Sequence, residues 1–402
     1  MIKMTNQSTE KENSTLFESA QKLKRCVRCL LAETHDTILF DAEGVCNICR
    51  NIEHKKEVID WPAKEKEFRE ILDRYRGKHA YDCIIPFSGG KDSAYTAYAL
   101  VRNYGVKPLV VCFDHGFMRP TVLANTEKTI RALGVDFLKF RAGWKVVRRL
   151  MVESLKRKGD FCWHCHTGIF SFPMQMAIRF QVPLVIWGQP NTEYNAYFRM
   201  DEPELVDEKR YNRYINLGIT AEDMAGMLGP EIDARDLEPF RYPPKEELKK
   251  LGYRSICMGT YIPWDVKKQV EIIEKELGWQ EDAVEGVPPE YGYEKIECFL
   301  QGVRDYLRFI KRGMGRTNHL ACIDIRDGRL TREEGERLMR EFDGKRPASL
   351  DVFLKMVEIT EEEFNKIALE HAVYPHQPDL SSVEKGQPLW DQQFWLIPGK
   401  KE

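Results

Sequence analysis

The sequence predicts an α/β fold in which a parallel sheet is covered by helices on both faces, preceded by a small cysteine-rich module and followed by a helical region. Three observations carry this expectation. Between residues 81 and 265, short apolar runs alternate with amphipathic stretches, the pattern of parallel strands joined by crossover helices. A glycine pair stands between the first apolar run and the first helix of that series, where open parallel sheets bind ligands. Two close cysteine pairs come before the series, and helix-period segments such as VKKQVEIIEKEL come after it.

Taken in order, residues 1–24 form a polar leader expected to be disordered, with no apolar core of signal-peptide length. Residues 25–60 hold the cysteine module, and residues 61–80 a charged linker helix that Gly77 ends. The strands of the α/β unit are read at YDCIIPF, KPLVVCFD, VDFLKF, QVPLVIWG and SICMGTYIPWD, with helices over 92–103, 121–133, 144–157 and 168–180 between them. The charged, Tyr- and Pro-rich stretch 189–244 has weak periodicity and reads as an insertion or long loop over the sheet edge. Residues 266–402 are expected to be helical, with an extended Pro-rich tail after Tyr374.

Composition narrows the function classes. The 402 residues include 61 Lys plus Arg and 63 Asp plus Glu, so no basic excess points to nucleic acid, and any polyanion site must be local. No apolar run approaches the ~20 residues of a membrane span. With the polar leader, this predicts a cytoplasmic protein. Eleven cysteines in such a compartment read as metal or thiol chemistry rather than disulfides.

Ser88-Gly89-Gly90-Lys91-Asp92-Ser93 is the strongest signal. The glycines let the backbone turn sharply with its N–H groups converging, and the following helix N-terminus adds partial positive charge, which makes an anion cradle. Ser88 and Ser93 supply hydroxyl donors, Lys91 a point charge, and Asp92 either holds Mg²⁺ or caps the helix. The loop is not a Walker A motif, which would need a glycine at Ile85 and a hydroxyl residue at Asp92. Asp114, at the end of the second strand, is read as a ribose or metal contact or as a plain strand-end turn residue. The SGGKDS loop resembles that of the PP-loop ATP pyrophosphatases, which cut ATP between the α and β phosphates. This likeness implies a Rossmann-like sheet of the HUP, or adenine nucleotide alpha hydrolase-like, class.

The spacing Cys26-x₂-Cys29-x₁₆-Cys46-x₂-Cys49 suits a structural Zn²⁺ held by four thiolates, with His35 and His54 as surface residues. The pair Cys162 and Cys165 leaves three readings open: a redox pair with lowered thiol pKa, a second metal site, or a packed structural feature. In PP-loop enzymes that thiolate tRNA, a similarly placed pair joins a third cysteine around an iron–sulfur cluster, and Cys257 is the candidate here. That gives the alternative function, a tRNA thiolase-like sulfur transferase; a non-catalytic scaffold is a third class.

The four-cysteine module, the PP-loop, CWHCHTGIF, YIPWD and NHLACIDIRDGRLTREEG occur in this order. The combination, from about Cys26 to Pro375, resembles the N-acetyl sugar amidotransferases of bacterial lipopolysaccharide and O-antigen biosynthesis. The resemblance implies that ATP adenylates the acetamido oxygen of a nucleotide-activated sugar and that ammonia replaces it, giving an acetamidino sugar, AMP and pyrophosphate. It also implies ammonia delivered by a separate glutaminase with a cyclase-like subunit, because the chain shows no glutaminase nucleophile motif. For the sugar diphosphate, Arg304, Arg308, Lys311, Arg312 and Arg316 recur at three- and four-residue steps, with Arg312 and Arg316 as leading candidates. Gln189 and Asp265 end predicted strands and are expected near the reacting group, Asp265 as acid–base residue or as the N-cap of the next helix.

Overall fold

A computed structural model describes residues 15–188, 211–230 and 232–386 of the chain. Five parallel strands form the sheet: β1 (Cys83–Pro86), β2 (Pro108–Asp114), β3 (Asp136–Arg141), β4 (Leu184–Trp187) and β5 (Arg254–Cys257), in the order β3-β2-β1-β4-β5. Ile84 of β1 stands beside Leu109 of β2 on one side and Val185 of β4 on the other, and Trp187 aligns with Cys257. The strand order reverses at β1, so the crevice beyond its carboxyl end is the place where an open α/β sheet admits a ligand.

Burial explains the strand composition. Every residue of β2 is buried, which requires apolar side chains on both faces. Ile85, Val110 and Ile186 face a core shared with the helices Lys91–Tyr98 and Val266–Leu277, whereas Ile84, Leu109 and Val185 face Trp163 and Phe172 of the helix Trp163–Phe180. β3 lies at the edge and alternates with exposed Lys139 and Arg141, which blunts the edge against further strand pairing. Of the stretch 189–244, read as an insertion or long loop, 189–210 and 231 lie outside the described residues; the rest contains short helices at Ala221–Met227 and Glu238–Phe240 and packs on the helix Trp163–Phe180, where Trp163 Nε1 donates to Asn216 O at 3.1 Å and Tyr211 Oη to Phe240 O at 2.8 Å.

Two expectations need correction. The leader was expected to be disordered through residue 24, yet Thr15–Gln21 is helical, with Leu16 and Ala20 buried against the C-terminal helices and Phe17 stacked on Phe309. Those partners lie about 300 residues away, so no local pattern announces them. The stretch read as a linker includes the helix Trp61–Tyr75, started by Asp60 and Pro62, and its Phe68, Ile71 and Leu72 enter the first sheet core. It is a cover of the sheet.

The cysteine module is likewise built into the C-terminal region. Its cysteines share a core with Met314, Cys322 and Met339. Arg25 Nη2 donates to Gly313 O at 3.0 Å, Arg332 Nη1 to Cys26 O at 2.6 Å, and Asn318 Nδ2 to Leu30 O at 3.3 Å. No helix among the described residues is long and apolar enough to cross a membrane.

Candidate active site

The glycine loop leaves β1 at Pro86 and turns into the helix Lys91–Tyr98. Gly89 has φ +81°, and a Cβ there would meet Thr126 Oγ1 at 2.5 Å and Val122 Cγ1 at 2.7 Å, so only glycine fits the turn. Trp279 Nε1 donates to Gly89 O at 3.0 Å and Ser93 Oγ to Gly90 O at 3.0 Å, which fixes the loop from both sides. Gly90 caps the helix without any side chain, leaving the first amide groups of that helix for an anion.

Ser88, Asp92 and Ser93 line a cavity of about 560 Å³, within the range of small-molecule sites. Phe113, His115, His166, Phe170, Trp187 and Gly188 shape its sheet side. The far wall comes from the C-terminal region: Lys295, Glu297, Gln301, Arg304, Arg308, Arg316 and His319, with His35 and Asp36 of the cysteine module at its rim. His35, read as a surface residue, is half-buried there, and burial beside Arg308 pulls its pKa down to about 4.

Lys91 does not line this cavity. It is 3% exposed, and its Nζ lies 2.6 Å from Glu294 and 3.0 Å from Asp92. Glu294, equally buried, also faces Arg316 at 3.6 Å, and Arg316 in turn holds Asp305 at 3.1 Å. The loop lysine is thus the first member of a buried charge chain that reaches the C-terminal helices. Burial alone raises the pKa of Glu294, but attraction to Lys91, then Lys295 and Arg316, outweighs it and brings the pKa down to about 2. A carboxyl whose folded pKa is depressed stabilises the fold above its unfolded pKa, near 4.5, and the contribution disappears as pH falls towards 2. A shift of that size corresponds to about 3 kcal/mol. We therefore expect wild-type stability to fall more steeply than that of Glu294→Gln between pH 4.5 and pH 2, measured by denaturant midpoints; parallel curves would contradict it.

Glu297 has a different position. A Cβ at Gly90 would collide with its carboxylate, and Ser88 Oγ donates to Glu297 Oε1 at 3.3 Å. A carboxylate therefore lies over the phosphate cradle. Asp92 Oδ1 is buried with no hydrogen-bond partner. An unsatisfied buried carboxylate oxygen in the cavity that Glu297 also lines fits Mg²⁺, which binds through one or two carboxylates plus substrate phosphates.

The remaining expected residues divide. Asp114 does not line the cavity: it is buried, and Gly116 N–H and Arg141 hydrogen-bond it, the latter at 2.5 and 2.9 Å; burial opposes its charge, but these bonds keep its pKa low. Asp265 accepts from Lys268 N at 3.4 Å as the N-cap of Val266–Leu277 and does not line the cavity, which favours its capping reading. Arg312 is tied to Asp36 and to Thr34 O and does not line the cavity either; Arg316 does. Gln189 lies outside the described residues. Sequence reasoning missed Glu294, Glu297 and Lys295, which no motif marks.

Cys165 lines the cavity and Cys162 lies just behind it. Burial pushes both thiols up, opposite to the direction a redox-active pair requires. The thiol that acts on both electrostatically is Cys298, also on the cavity wall, whereas Cys257 ends β5 away from the lining. Among the described residues the one group of ligands with metal-holding geometry is Cys26, Cys29, Cys46 and Cys49, whose sulfurs all lie within 4.8 Å of one another. Cys26 Sγ and Cys49 Sγ are 4.0 Å apart, and Cys29 Sγ and Cys46 Sγ 3.6 Å. A tetrahedron of Zn–S bonds near 2.3 Å has edges of about 3.8 Å, so the four thiols fit one zinc ion. Cys322, on the helix Arg316–Arg326, shares the core of the four cysteines, and the Arg326 charge on the same helix is attracted to Cys29, a second layer of support around the centre.

Residues 290–377 match the family model described as "LPS biosynthesis protein WbpG-like, C-terminal domain". That segment is similar to a WbpG-like C-terminal domain. The matched residues include Glu297, Arg304, Arg308 and Arg316 of the wall facing the glycine loop, and Glu294, which is buried against Lys91 and Arg316. The chain is 25% identical over 170 residues to a GMP synthase (glutamine-hydrolyzing) of Thermosipho africanus, covering 42% of this chain and 31% of that protein. It is 28% identical over 195 residues to the enzyme of the same name from Thermus thermophilus, covering 48% and 35%. The chain thus spans about a third of the length of these relatives. The NMN synthetase of Francisella tularensis is similar at 12% identity with a TM-score of 0.35, over 71% of this chain and 93% of that one.

Proposed function

We propose that this protein is an AMP-forming amidotransferase acting on a nucleotide-activated N-acetyl sugar in surface polysaccharide biosynthesis. One observation carries the reading: a single cavity joins the glycine loop to a cationic wall made by the WbpG-like domain. ATP places its phosphates over Ser88, Ser93 and the first amides of the loop helix, where Asp92 would hold a Mg²⁺ that neutralises phosphate charge. The sugar lies between loop and wall. An acetamido carbonyl is a poor electrophile; its oxygen attacks the α-phosphorus, the α–β bond breaks, and pyrophosphate leaves. Donors already fixed in the cradle receive the charge that develops on it without reorganisation. Ammonia then adds to the activated carbon, and AMP departs with the former amide oxygen, leaving an amidine.

Water competes with ammonia for the activated carbon, so the site must exclude it. Phe113, Phe170 and Trp187 give the sheet side of the cavity an apolar lining suited to that task. We expect ammonia to come from a separate glutaminase subunit working with a cyclase-like partner.

The test is incubation with ATP, ammonium salts and a panel of nucleotide-activated N-acetyl sugars, with nucleotide products separated by chromatography. AMP and an amidino sugar in equal amounts are expected. ADP in place of AMP, or no product at saturating ammonium, would remove the proposal.

A further inference from the structure

The four arginines on and just beyond the helix Gln301–Arg312 do not share one fate. Arg312 is held by Asp36, Arg316 by Asp305, and Arg304 faces Asp160 at 3.7 Å. The Arg308 side chain, on the cavity wall, makes no ion pair or hydrogen bond among the described residues. Its charge is opposed by burial and by Arg316, Arg304 and Arg312, with Asp305 in partial compensation, which lowers its pKa to about 10 and leaves it charged at neutral pH. Lys295, on the same wall, also has no ion pair or hydrogen bond among the described residues. Arg304 adds a buried Nε–H that finds no acceptor.

Nothing in the fold requires this arrangement. Like charges set close together destabilise a folded chain, and an unused buried donor costs roughly 1–3 kcal/mol. Stability given up in a cavity wall is the mark of a site built for a ligand. Two cations with acidic groups nearby but no direct ion pair match the two negative charges of a diphosphate diester, and a guanidinium fork suits its oxygens.

We infer that Arg308 and Lys295, with the Arg304 Nε–H, form a second anion subsite across the cavity from the glycine loop, and that it takes the diphosphate of a nucleoside diphosphate sugar. This rests on the proposed reaction only in naming that substrate. The glycine loop serves the triphosphate; the arginine wall serves the other reactant.

Calorimetric titration of the full-length protein tests this without turnover. The probes are UDP-N-acetylglucosamine, GDP-mannose and dTDP-glucose, each against α,β-methylene-ATP as the second ligand. At least one diphosphate sugar is expected to bind the wild type without ATP. Arg308→Ala should weaken that binding tenfold or more while changing the ATP analogue's Kd less than threefold; Lys295→Ala should act in the same direction. Arg308→Lys should recover only part, because an ammonium lacks the fork. Thermal midpoints of the alanine variant should equal or exceed the wild type, since a repelled charge is removed. No diphosphate sugar bound by the wild type, unchanged binding in Arg308→Ala, or an equal loss for the ATP analogue would each overturn the inference. Failure of AMP formation would instead strike the proposed reaction, and the titrations are independent of it.

Discussion

Cys46→Ser, or treatment with a strong chelator, is expected to unfold residues 25–60 and to carry the cavity wall with them. A four-thiolate zinc site contributes about 10–16 kcal/mol of apparent binding free energy, as much as or more than the whole stability of a typical domain. The module cannot absorb that loss alone, because its cysteines share a core with Met314, Cys322 and Met339 and because Asp36 and Thr34 hold Arg312. Three measurements decide the matter. Elemental analysis should find one zinc per chain in the wild type and less in the variant. The thermal midpoint should drop by far more than the few degrees of an ordinary surface substitution. Binding of diphosphate sugars should weaken together with the fold. A Cys46→Ser chain with wild-type metal content and midpoint would refute the expectation, and iron with visible absorbance would replace zinc by a cluster.

Lys91→Met is the second large effect, and its cause is double. The substitution removes the loop's cation and strands Glu294, a carboxylate only 3% exposed, beside Arg316 at 3.6 Å. Removing one partner of a buried pair costs about 3–5 kcal/mol because the other charge stays behind. A loss of AMP formation in this variant would therefore say little about phosphate contact. Lys91→Met with Glu294→Gln separates the two causes: stability should return most of the way to wild type, while ATP cleavage should stay at least a hundredfold down if Lys91 swings to the phosphates in the working state. Recovery of both together would make Lys91 a structural residue.

Much of this architecture is legible in the chain because its signals are local. Strand and helix periodicity marks all five strands, although the last ends at Cys257 and a short helical turn at Met258–Thr260 separates it from Asp265; the glycine pair marks the loop, and the two cysteine pairs mark a group of thiols whose positions fit a metal. The helix at Thr15–Gln21 and the integration of the cysteine module were not readable, because their partners lie across the whole chain. The same limit governs the site. A helical repeat of arginines tells that they share a face, but which of them keeps a free charge depends on Asp36, Asp160 and Asp305, brought together only by folding. Hence Arg312, a leading candidate by spacing, is consumed in docking the cysteine module, and Arg308 is the one left over. Asp265 illustrates the reverse case: the short-range capping interaction was visible in sequence and is the one the structure adopts.

Glu297 gives the loop an unusual starting point. Since its carboxylate already sits against Ser88 and over Gly90, a nucleotide arriving there performs an exchange rather than an occupation. Only the difference between guest and incumbent shows up as affinity. Monovalent anions gain little by such a swap, whereas a polyphosphate accompanied by its divalent cation gains several charge-assisted bonds and gives the evicted carboxylate a new cation to face. With ATP bound there as proposed, the loop is expected to discriminate against the cell's abundant small anions before any chemistry begins.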